Sequence, residues 1–139
     1  MRTCQMRIRD EYDYGQLENS EESPVLQVLI FRKGMKGSVK TLAIVDTGFD
    51  AGLLISRDAR DMILTESGPP DTHESLSAGF VEIPCEVYSV SLGVLDRWFS
   101  VRAYAPVYNG FETLVGRAVL NRLNLCLRGP AAKTCIAVE

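Results

Sequence analysis

Asp46-Thr47-Gly48 stands between two apolar runs, Leu42-Ala43-Ile44-Val45 and Leu53-Leu54-Ile55, and this setting constrains the chain more than any other feature. The β-branched residues ahead of it favour a buried strand. Gly48 supplies a turn position without a Cβ. One carboxylate is therefore expected on a tight turn at a strand end, with Asp50 as a second acid close by. Alone the tripeptide is weak, because average residue usage yields one by chance in about 3% of chains this long. The competing reading of Asp46 is an ordinary turn aspartate bonding its own backbone.

A chain of 139 residues suits one domain with a real core. Its composition, 46% hydrophobic and 24% charged, is that of a soluble globular protein. A net charge of -3 offers no basic footprint, so nucleic acid is not an expected partner. Nor is a membrane, since the longest apolar stretch, Val25 to Phe31, is broken by Gln27 and is too short to span a bilayer. The first residues lack a charged start followed by an apolar core, which makes the cytoplasm the expected compartment. Cys4, Cys85, Cys126 and Cys135 are scattered, with no Cys-x-x-Cys and no adjacent histidine, so no metal site is expected. They read as small buried thiols, or as a Cys126–Cys135 bridge that a reducing cytosol does not preserve. His73, near Pro69-Pro70, reads as a surface loop residue, and no Gly-x-Ser-x-Gly elbow supports a histidine-dependent nucleophile.

Cys4, Met6 and Ile8 alternate with polar residues, as in a short amphipathic strand, and Asp10 to Ser23 reads as an acidic solvated connection. The expected division is an arm over 1–23 and a folded domain over 24–139. From Pro24 onward short strands dominate. Val25 to Arg32 and Ser38 to Val45 form a hairpin through the glycine-containing loop Lys33 to Gly37. Ser56 caps a helix from Arg57 to Leu64, with Ala59, Met62 and Ile63 on one face, ending before Ser67-Gly68-Pro69-Pro70. A hairpin spans Glu74 to Pro84, with Ala78-Gly79 near its tip, followed by strands over Cys85 to Ser91 and Trp98 to Tyr104. Trp98, Phe99 and Tyr104 read as strand-face packing. Arg117 to Leu123 reads as a short helix, and strands at Leu125 to Leu127 and Cys135 to Val138 close the chain around Gly129-Pro130. Many short strands with two small helices argue for an all-β, closed or partly closed architecture.

A second block, Leu114-Val115-Gly116-Arg117 followed by Ala118 to Leu125, lies far downstream of Asp46-Thr47-Gly48. Together the two blocks resemble the retropepsin-like, retroviral-type aspartic proteases, whose strand-and-turn Asp-Thr-Gly is paired with a hydrophobic-hydrophobic-Gly-Arg segment opening a helix. The likeness covers roughly Pro24 to Val138. It implies a closed acid-protease barrel, peptide hydrolysis without a cofactor, and Asp46 as the catalytic acid. Such chemistry needs two carboxyls, and only one Asp-Thr-Gly is present, so the resemblance implies a homodimer acting on peptide or protein substrates. Thr47, Gly48 and Gly116 then support the active-site loop, Asp50 pairs with Arg117, and Ala78, Gly79 and Phe80 belong to a flap over the substrate. A catalytically weak or inactive peptide-binding or assembly module on the same dimeric fold is the alternative.

Overall fold

The computed structural model describes residues 8–15 and 22–137. Among them the chain forms β1 (Ile8–Asp13), β2 (Val25–Phe31), β3 (Val39–Val45), β4 (Leu53–Leu54) and helix α1 (Arg57–Ile63). It continues as β5 (Thr72–Ala78), β6 (Val81–Val94), β7 (Arg97–Pro106), β8 (Leu114–Val115), helix α2 (Arg117–Leu120), β9 (Leu125–Arg128) and β10 (Lys133–Ala137). The all-β expectation is met, with both helices short.

β2 and β3 pair antiparallel from Val25 opposite Ile44 to Ile30 opposite Val39. Along β2, Leu26, Val28 and Ile30 are buried while Gln27 is exposed, the period of two expected for a half-buried sheet. The larger sheet runs β2-β3-β8-β4-β7-β6-β5, and pairing of Leu29–Phe31 with Ser91–Gly93 closes it on itself. Leu26, Ile30, Leu53, Tyr88, Leu92 and Val115 fill the interior, essentially without solvent contact. No helix among the described residues is long and apolar enough to cross a membrane.

A second sheet, ordered β1-β10-β9, corrects the reading of Asp10 onward as a solvated connection. Ile8–Asp13 is a strand against Lys133–Ala137, because Glu11 and Asp13 find Arg128 and Lys133 as ion-pair partners on the neighbouring strands. Tyr12 packs against the core and donates to Asp10 Oδ2 at 3.2 Å. Burial, reinforced by the Asp10 charge and hydrogen bond, pushes its pKa up to about 12. Cys4 and Met6 of the expected amphipathic strand, and Glu18 and Glu21 of the expected connection, lie outside the described residues. Cys126 and Cys135 face each other in register as free thiols, and Cys85 is a buried thiol.

Helix α1 starts where expected, with Ser56 Oγ accepting the Ala59 N–H at 3.2 Å. Met62, however, is 85% exposed, whereas Ile63 and Leu64 are buried. Ala59 and Ile63 lie one turn apart on the inner side; Met62 sits about 100° around the helix from Ile63 and faces water. Helix α2 is also shorter than expected: after Leu120 the chain continues through turn hydrogen bonds, from Arg122 N–H to Val119 O and from Leu123 N–H to Leu120 O. Phe99 is buried as a packing residue, while Trp98 is half exposed. His73 lies on β5 and is exposed.

Candidate active site

β8 is the element that builds the site. It lies parallel to β3, with Ile44 opposite Leu114 and Val45 opposite Val115, and antiparallel to β4. The segment from Asp46 to Gly52 therefore loops around the end of β8. The Asp46 N–H donates to Val115 O at 3.0 Å, and the Gly116 N–H donates to Gly52 O at 3.0 Å. Arg117 and Ala118 then donate their N–H groups to Phe49 O at 2.8 Å and Ala51 O at 3.3 Å. Four backbone hydrogen bonds thus fix both ends and the middle of the loop. Gly116 permits this approach, since a Cβ there meets Ala51 O at 2.2 Å and Phe49 O at 2.6 Å.

Within the loop, the Phe49 N–H donates to Asp46 O at 3.2 Å, closing a four-residue turn. Asp46 Oδ1 accepts the Gly48 N–H at 2.9 Å. That contact by itself is what any turn aspartate makes. What distinguishes this turn is the buttress of Gly116 and Arg117 behind it, contributed from about seventy residues away in the sequence. No other hydrogen bond to the Asp46 carboxyl occurs among the described residues, so one oxygen stays available. Asp46 is partly exposed, and Thr47, Gly48 and Asp50 are exposed, so the turn presents its carboxyl at the surface of the single chain.

The Asp50–Arg117 pair is not formed among the described residues. Both residues are exposed, and the loop is joined to α2 through the Arg117 backbone N–H instead of its guanidinium. Backbone bonds already satisfy the junction, and a water-exposed ion pair adds little to it.

Ala78, Gly79 and Phe80 sit at the end of the β5–β6 hairpin, where Ala78 pairs with Val81 around a two-residue turn. Gly79 takes φ +64°, the first position of a turn that favours glycine. Phe80 is fully exposed and Val81 is 62% exposed. No hydrogen bond joins this tip to the Asp46 turn among the described residues.

Sequence inspection missed the polar network at the base of this hairpin. Glu86 on β6 accepts from Arg60 Nη2 at 2.6 Å and from the Tyr88 hydroxyl at 2.6 Å, and Arg57 lies 3.7 Å away. Burial opposes ionisation of Glu86, yet Tyr88, Arg60 and Arg57 together hold its pKa below the ordinary value. These partners are scattered singly through the chain and carry no motif. Among His, Cys, Asp and Glu of the described residues, no cluster suited to a metal ion forms.

No family model and no curated protein sequence matches the chain. Solved structures do. A retropepsin-like aspartic protease from Rickettsia conorii superposes with a TM-score of 0.57 at 13% identity, covering 99% of this chain and 96% of that one. EIAV protease complexed with the inhibitor HBY-793 superposes with a TM-score of 0.52 at 15% identity, covering 77% of this chain and 93% of that one. At such identities the likeness carries the architecture: this chain has the retropepsin-like aspartic protease fold.

Proposed function

We propose that the protein is an aspartic endopeptidase whose active unit is a homodimer, with one Asp46 from each chain. The observation that carries this reading is the Asp46 turn itself, braced by Gly116 and Arg117 and exposed with one free carboxyl oxygen. In aspartic proteases generally, two carboxyls about 3 Å apart share one proton, because like charges that close cannot both ionise. The ionised partner takes a proton from a water held between them, and the protonated one polarises the scissile carbonyl. The chain has one Asp-Thr-Gly, so the second carboxyl comes from a second copy related by a two-fold axis. Thr47 and Gly48, exposed beside Asp46, meet their counterparts there. The Gly79-Phe80 hairpin closes over an extended peptide and excludes water. No metal ion or organic cofactor takes part in this chemistry.

The test is Asp46→Asn, with cleavage of a peptide library and sedimentation measured on the same samples. The dimer is expected to persist while hydrolysis falls by at least about a thousandfold. Hydrolysis retained by the variant rejects the mechanism. A wild-type dimer that binds peptides without cutting them identifies a binding module on the same fold.

A further inference from the structure

Among the described residues, the β5–β6 hairpin is held by the barrel only at its root. β7 pairs with β6 from Cys85 onward, and the last tie is Val107 N–H to Pro84 O at 3.0 Å. Beyond Ser75 and Pro84 the hairpin is a lone pair of strands, an arrangement only marginally stable in water. Its direction is therefore decided where the chain enters it, at Ser67-Gly68-Pro69-Pro70-Asp71.

That segment has a backbone problem. Gly68 is at φ +99°, and Pro69 and Pro70 have no N–H to donate, so the segment does not run on as a ladder strand and the carbonyls of Ser67, Gly68 and Pro69 take a side-chain donor instead. Arg32, the residue after β2, collects them. Its Nη1 donates to Gly68 O at 3.1 Å, Ser67 Oγ at 3.1 Å and Ser67 O at 3.4 Å. Its Nη2 donates to Pro69 O at 2.7 Å and Asp71 Oδ1 at 3.0 Å. The guanidinium also lies over the Tyr88 ring, 4.8 Å from its centroid, and the side chain is only 10% exposed. Asp71 completes the clasp, its Oδ2 accepting the Ser89 N–H of β6 at 2.6 Å. A planar fork of fixed donors serves several acceptors at once in a way that a lysine ammonium does not.

We propose that Arg32 is a positioning residue for the hairpin: by joining β2 to the 67–71 segment and, through Asp71, to β6, it fixes the root and confines bending to residues 75–84. The role rests on the hairpin serving as a substrate flap, as in the proteolytic reading above. Arg32 touches neither the Asp46 turn nor its buttress. Its loss therefore acts on substrate capture and spares the chemical step.

Arg32→Lys and Asp71→Ala, in the full chain, test this by two readouts. Hydrogen exchange at the amides of residues 72–83 is expected to speed up about tenfold or more, with β2–β3 and β9–β10 unchanged. KM for a peptide substrate is expected to rise about tenfold while kcat stays within about twofold. The lysine variant retains part of the effect of arginine, whereas Arg32→Met retains none. Unchanged exchange in the hairpin, or faster exchange spread evenly over the barrel, overturns the proposal, as does an equal fall in kcat and kcat/KM. Should the wild-type chain cut no peptide, the proteolytic reading fails by itself, and the exchange measurement still decides the role of Arg32.

Discussion

Two glycines at the site do different jobs, and adding one methyl to each separates them. At Gly116 the new carbon meets two backbone oxygens, Ala51 O at 2.2 Å and Phe49 O at 2.6 Å, neither of which can swing away. Gly116→Ala is expected to cost about 3 kcal/mol, read as a lower urea midpoint with an unchanged slope. At Gly48 the nearest atom is the Asp46 carboxylate oxygen, at 3.2 Å. A side-chain atom yields, so Gly48→Ala should leave stability within about 1 kcal/mol and lower the cleavage rate about tenfold by displacing the carboxyl. Equal stability losses at both positions contradict this division. Gly48 was legible in the sequence because its role is local; the demand on Gly116 comes from carbonyls some 65 residues earlier, and only the Gly-Arg resemblance pointed to it.

Helix α1 is tied to the root of the hairpin by charge. Arg60 and Arg57 meet Glu86 on β6, and Asp71 meets Arg32 and Ser89 on the neighbouring side. Glu86 is held below its ordinary 4.5 by Tyr88 and the two arginines, against the opposing effect of burial. The Ser89 N–H, then Arg32, holds Asp71 below its ordinary 3.8. A carboxyl whose folded-state pKa is depressed stabilises the fold fully above its unfolded value and loses that contribution as pH falls through the folded one. Stability is therefore expected to decline as pH drops below about 4, and Glu86→Gln should flatten that limb of a urea-midpoint profile. An identical acid limb in the variant assigns the loss to other carboxyls. The Ser56 cap and the breaker at Gly68-Pro69-Pro70 were readable, since caps and breakers act over a few residues. Arg32 carried no such mark, its acceptors lying 35 to 39 positions away.

At the scale of the whole molecule, the proposed dyad makes activity a property of two chains. Specific activity is expected to fall on dilution and to follow the dimer fraction measured by sedimentation. Activity per chain that stays constant down to a fully monomeric sample contradicts a shared site. Order along the chain was set by the sequence alone: the apolar run from Val25 marked a strand, and the Asp46 turn followed from its apolar flanks and Gly48. These features depend on neighbours within a turn or a strand, where propensity and periodicity operate. Three outcomes belonged to the tertiary structure alone. β8 entered between β3 and β4, Ile8–Asp13 joined β10 as a strand, and the Asp46 loop was joined to α2 by the Arg117 N–H on Phe49 O in place of an Asp50–Arg117 ion pair. Each depends on which distant donors and acceptors closure of the barrel brings together, and residue type alone does not specify that.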